Sequence, residues 1–135
     1  MIPVVFDCSV IVAAVGWRSE PYQCLVSVAQ RRTKAFVTDG ILEEYHRIIQ
    51  ELEAEKTFPR SPWPTLNWFL SACHKISPAP LGKQRSRDFN DDPYLACALA
   101  AKAQFIISRD PHLLEMKKPF GISMVTPRQL LSELA

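Results

Sequence analysis

Apolar positions along this chain fall into two rhythms, short unbroken runs and longer stretches with a helical period. Residues 2–6, Ile-Pro-Val-Val-Phe, are a continuous apolar run rich in β-branched residues, the pattern of a strand covered on both faces. Residues 9–16 predict a short helix, with Ser9 as its cap and Gly16 as its stop. Ser19-Glu20-Pro21 opens a second helix over 21–32, carrying Cys24, Leu25, Val28 and Ala29 on one face and ending in Arg31-Arg32. Residues 34–38 predict a second strand. Ile41, Leu42, Tyr45, Ile48, Ile49 and Leu52 then mark one face of an amphipathic helix over 40–55.

The proline-rich stretch from Phe58 to Pro64 breaks that helix, and another is expected over 64–75. Residues 77–90 read as a polar connection. Asp92-Pro93 reads as an N-cap followed by proline at the first helical position, opening a helix through Leu95, Ala96, Ala98, Leu99 and Ala103. Residues 105–108 predict a third strand, and Asp110-Pro111 repeats the cap signal before a short helix. Residues 122–125 predict a fourth strand, and Pro127 opens a terminal helix ending near Leu134.

Strands alternating with helices predict an α/β fold, a three-layer sandwich around a central mostly parallel sheet, in a single domain over 1–135. That length buries a core without disulfides or a structural metal. Cys8, Cys24, Cys73 and Cys97 form no C-x-x-C pair and are expected to be reduced and mostly buried. No apolar run approaches the roughly 18 residues of a membrane span. The opening Met1-Ile2-Pro3 lacks the charged region of a signal peptide, so no membrane association and a cytoplasmic location are expected.

Parallel strands send their carboxyl ends to one edge of a sheet, where open α/β folds place their ligands. Asp7 follows the first strand, and Asp110 lies two residues beyond Ser108 at the end of the third. Asp91 begins the helix that feeds the third strand, and Glu44 lies one turn into the helix after the second. The four acids are therefore placed to meet in one cleft. Neighbouring carboxylates in a low dielectric cannot all stay ionised without a cation. Mg²⁺ or Mn²⁺ suits such oxygens, and no His or Cys cluster competes for a softer metal. A site of this kind suits phosphodiester hydrolysis, with one ion or two left open.

Each acid also has a structural reading. Asp7 and Asp110 sit where a helix cap would, and Glu43 is a rival for Glu44, which the buried phase of the helix favours. Charge adds a little. The net charge is +2, but with the four acids set aside 16 basic residues face 10 acidic ones, a balance that suits a polyanion.

Several segments resemble the PIN-domain family. Val4 to Ile11, with Asp7-Cys8-Ser9, resembles its first strand and Asp-Thr-Asn/Ser motif, and Thr38 to Tyr45 its Leu-x-Glu-Tyr helix. Asp88 to Ala96 resembles its third acidic segment. Ala103 to Asp110 with Leu113-Leu114, and then Ile122 to Leu131, resemble its last two. The likeness spans nearly the whole chain and is greatest to toxin components of toxin–antitoxin systems. It implies a Mg²⁺- or Mn²⁺-dependent ribonuclease with Asp7, Glu44, Asp91 and Asp110 as catalytic and metal-binding residues, and Ser9 and Ser108 as supporting hydroxyls. It also implies RNA as substrate, a small cognate antitoxin as partner, and a homodimer or higher oligomer.

Cys8, Ser9, Arg109 and His112 depart from the family's usual threonine, asparagine, glycine and aspartate. His112 bears on a second metal, and Arg109 sets a cation beside Asp110. Lys83, Arg85, Arg87 and Arg109 are the candidates for holding a phosphate backbone, against the plainer reading of a solvated basic loop. Trp17, Trp63 and Trp68 are expected to pack rather than to stack on bases. A haloacid-dehalogenase-like phosphatase would need an aspartate where Ser9 stands, and a receiver domain would need a lysine after a late strand, where Thr126 lies. The alternative kept is a PIN-like module with weakened catalysis that binds RNA or protein.

Overall fold

The structure, a computed structural model, describes residues 1–86 and 88–135. Its frame is a five-stranded sheet in the order β3-β2-β1-β4-β5, with every neighbouring pair parallel. The strands are β1 (Ile2–Phe6), β2 (Thr33–Val37), β3 (His74–Lys75), β4 (Phe105–Ile107) and β5 (Ser123–Val125). The central strand is the apolar run at the start of the chain. Val4 stands opposite Ala35 on one side and Phe105 on the other, and Val4, Val5 and Phe6 are fully buried. Burying each such large side chain contributes about 1.5–3 kcal/mol.

Among the described residues seven α-helices accompany the sheet: α1 (Cys8–Gly16), α2 (Glu20–Ala29), α3 (Asp39–Ala54), α4 (Trp63–Ala72), α5 (Asp92–Ala101), α6 (Pro111–Leu114) and α7 (Pro127–Leu134). The chain steps from β1 outward to β2 and β3, then returns past β1 to β4 and β5. The reversal makes the gap between the carboxyl ends of β1 and β4 a topological switch point. α5 packs across β1, β2 and β4, while α2 packs against α1 and α7.

The expected sheet becomes all-parallel and gains a strand. Residues 73–75 were expected to continue a helix, but α4 ends at Ala72 and Cys73 turns extended. His74 and Lys75 then pair with Phe36 and Val37. Two exposed residues at a sheet edge carry no periodic signal, so nothing in the pattern marked them. α2 likewise ends at Ala29 rather than at Arg32. Arg31 adopts a left-handed conformation (φ 59°), and Arg32 N–H donates back to the Ser27 carbonyl, closing a Schellman motif. α3 and α5 end the same way, at Lys56 and Lys102.

Gly16 is the last residue of α1 rather than a stop beyond it. A Cβ there would lie 2.7 Å from the Phe58 ring, so the glycine permits a close approach. Trp63 packs partly buried against the core and its indole donates to Glu53 Oε1, while Trp17, which meets Phe58, and Trp68 are exposed. The cysteines are free thiols, three buried and Cys73 half-buried, and burial pushes each up to about 12. Among the described residues no helix is long and apolar enough to cross a membrane.

Candidate active site

The carboxyl ends of three strands are laced together at the switch point. Asp7 N–H donates to the Ile107 carbonyl (2.9 Å), and Ser108 N–H donates to that of Val125 (2.9 Å). β1 therefore delivers Asp7, and β4 delivers Ser108 to Asp110, to the same place. Both serine hydroxyls donate to one oxygen, Asp7 Oδ2: Ser9 at 2.8 Å and Ser108 at 2.7 Å. Each hydroxyl in turn accepts one backbone N–H from the two residues that follow Ser108. Arg109 N–H reaches Ser9 (3.1 Å), and Asp110 N–H reaches Ser108 (2.9 Å). Ser9 was read as a helix cap; it lies inside α1, which begins at Cys8. Asp110 does cap α6, its Oδ1 accepting from His112 N–H at 2.9 Å.

Burial raises the carboxyl of Asp7, which is 5% exposed. Bonds from Ser108, Ser9 and the Cys8 backbone pull it back, and the charge of Asp110 adds to the rise. Asp91 ends a one-turn 3-10 helix, Phe89–Asp91, and is 7% exposed. Its Oδ2 is buried and, among the described residues, has no hydrogen-bond partner. Desolvation, then the charges of Asp110, Asp7, Asp88 and Glu44, push its carboxyl up to about 6.

Glu44 is half-buried on α3 and accepts a hydrogen bond from the Tyr94 hydroxyl of α5, whereas Glu43 is exposed. Beside it the buried Tyr45 hydroxyl donates to the Phe6 carbonyl, pinning α3 to the end of β1. The sequence reading gave neither the Tyr45 nor the Tyr94 hydroxyl a role. The signal was available: a tyrosine buried on a helix face must find a partner for its hydroxyl.

Asp92 departs from its expected role as the cap of α5. It is the first residue of that helix, and its two oxygens accept from the backbone N–H groups of Arg85 (2.9 Å) and Ser86 (2.6 Å). Desolvation opposes ionisation there, but the bonds from Ser86 and Arg85 outweigh it and hold the carboxyl low. Two adjacent backbone amides thus hold both carboxylate oxygens at once. Asp92 therefore clamps the connection that precedes the site.

Among the described residues no three His, Cys, Asp or Glu side chains are drawn into a ready-made chelating group. Oxygens of Asp7, Glu44 and Asp110 are each engaged in internal hydrogen bonds. The chemistry nonetheless fits a hard divalent cation. The donors are carboxylates, one buried oxygen is unpartnered, and the acids raise one another's affinity for protons, which a cation would relieve.

The basic candidates are dispersed. Lys83 is exposed, and Arg87 lies outside the described residues. Arg85 donates from Nε and Nη2 to the Leu81 carbonyl and lies over the Phe120 ring, 5.4 Å from its centroid. Arg109 is exposed and lines a cavity of about 470 Å³ with Ser19, Thr126 and Arg128.

A parallel α/β sheet with carboxylates gathered at its switch point defines a class of protein built to hold a ligand at the strand ends. Residues 3–112 match the PIN domain, and the chain belongs to that family. PIN domains are typically hydrolytic nucleases, generally use divalent metals and generally bind RNA. The fold is similar to that in the crystal structure of PAE2754 from Pyrobaculum aerophilum, with a TM-score of 0.66 at 19% sequence identity. The likeness covers 98% of this chain and 89% of that one. No curated protein matches the chain.

Proposed function

We propose that this chain is a divalent-metal-dependent endoribonuclease, the toxin of a toxin–antitoxin pair, acting as one nuclease domain over residues 1–135. The observation that carries this reading is the buried, unpartnered Oδ2 of Asp91 among the charges of Asp7, Asp110 and Glu44. Asp7, Glu44, Asp91 and Asp110 would hold Mg²⁺ or Mn²⁺. Such an ion, when bound, lowers the pKa of a water and stabilises charge on the attacking and leaving oxygens of a phosphodiester. Ser9 and Ser108 orient Asp7 and favour its charged form by donating to its Oδ2, against the burial that raises it. Arg109, exposed and next to Asp110 in the chain, is the first candidate to meet a substrate phosphate, and Lys83, Arg85 and Arg87 of the 77–90 segment are the others.

Purified protein should cut single-stranded RNA with Mn²⁺ or Mg²⁺, and both EDTA and Asp7→Asn should abolish cutting. The toxin role is tested by expression in a bacterial host: growth should stop, and co-expression of the small open reading frame neighbouring the gene should restore it. A second reading, a PIN-like module that binds RNA or protein with weakened catalysis, draws on the absence of a ready-made chelating group among the described residues. RNA bound but never cut under any divalent metal would replace the first reading with the second.

A further inference from the structure

Among the described residues, Phe89 is the most exposed large apolar side chain, at 70%. It opens the 3-10 turn that ends in Asp91, two residues away. The turn is held: Asp88 Oδ1 accepts from Asn90 N–H, and Asp91 N–H donates to the Asp88 carbonyl, both at 2.9 Å. The ring is therefore presented by an ordered turn beside the acids.

Phe89 also lines a groove of about 630 Å³, with Thr38 and Gly40 from the start of α3, Ile76 and Pro78 from the connection, and Pro93 from α5. The groove floor is anchored, since Ile76 N–H donates to Val37 and Ala79 N–H to Ala96. Its charges are already engaged. Lys75 pairs with Asp39 at 3.2 Å, and Asp92 accepts the two backbone N–H groups. An aromatic face, apolar walls and peptide edges with no unpaired cation among the described lining suit a flat uncharged ring better than a phosphate.

We propose that Phe89 and this groove form a subsite for one unpaired nucleobase, adjacent to the phosphate at the acids. The inference rests on the ribonuclease reading above. Stacking on an aromatic side chain tolerates any base but requires that it be unpaired, so the subsite would confer a preference for single strands.

The test uses the full chain carrying Asp7→Asn, with Mn²⁺, so that bound RNA stays uncut. Short unpaired oligoribonucleotides carry 2-aminopurine at successive positions, and fluorescence reports stacking. Quenching is expected at one position and is lost in an added Phe89→Ala, with affinity about tenfold weaker. Phe89→Tyr should restore both, and an abasic site at that position should erase the difference between the parent and Phe89→Ala. In Mn²⁺-dependent cleavage by the chain with Asp7 intact, Phe89→Ala should show its defect in KM. Wild-type binding and quenching by Phe89→Ala, or an undiminished defect on the abasic strand, would overturn the subsite while leaving the nuclease intact. A chain that neither binds nor cuts single-stranded RNA would overturn both.

Discussion

The Ser108 hydroxyl stands 2.7 Å from Asp7 Oδ2 and joins residues 101 positions apart in the chain. Through it the central strand and its neighbour share one polar atom at the switch point. The same oxygen of Ser108 accepts Asp110 N–H, so a single buried hydroxyl orients two of the proposed ligands.

Ser108→Ala should therefore act on both stability and chemistry. Leaving Asp110 N–H without that partner and removing a donor from Asp7 should cost about 1–3 kcal/mol in a urea melt. Cleavage should fall about 10- to 100-fold, the usual size for a group that orients a metal ligand. Because the lost bond favoured the charged form of Asp7, the acid limb of the pH–rate profile should move to higher pH.

Asp91 gives stability a pH dependence of known sign. Its folded pKa is raised from 3.8 to about 6, so between those values the folded state binds more protons than the unfolded state. Its contribution to stability is fully present below about pH 4 and is lost as pH rises through 6. This group's share should lower the melting temperature of the metal-free protein as pH rises from 4.5 to 7, and Asp91→Asn should remove that share from the profile. Added Mn²⁺ should raise the Tm more at pH 7.5 than at pH 5, since protonation competes with the metal.

Glu43 and Glu44 are separated by one position and by their surroundings. Glu44→Gln should remove RNA cleavage, whereas the exposed Glu43→Gln should stay within about twofold of wild type and within ±0.5 kcal/mol in stability. Equal losses in both variants, measured by gel-based cleavage, would mean that helix phase does not select the ligand.

Asp92→Ala should release the clamp on Arg85 and Ser86. Hydrogen exchange should accelerate at those two amides, with a stability cost of about 1–3 kcal/mol, while the amides of β1 and β4 keep their protection relative to global unfolding.

Much of this protein was legible in its order of residues. The run Ile2 to Phe6 is apolar at every position because β1 is covered on both faces, and a parallel sheet follows from strands alternating with helices. The places of Asp7 and Asp110 at the same edge followed from that topology. The ends of α2 and α5 were not legible: they turn at Arg31 and Lys102, where a sequence reading looks for glycine, whereas α3 ends within a residue of the expected 55. Nor was β3, whose two residues are too few to show a period.

What the sequence by itself determined is local: periodicity, the residues that must be buried, and acids placed after strands. Tertiary structure alone decided the partners. Only folding brings the hydroxyls of Ser9 and Ser108 onto one oxygen, sets Tyr94 against Glu44, and turns Asp92 from an expected cap into a clamp. The reason is physical. A hydrogen bond depends on atoms within about 3 Å in a defined direction. That condition is set by the packing of distant elements, and no spacing along the chain encodes it.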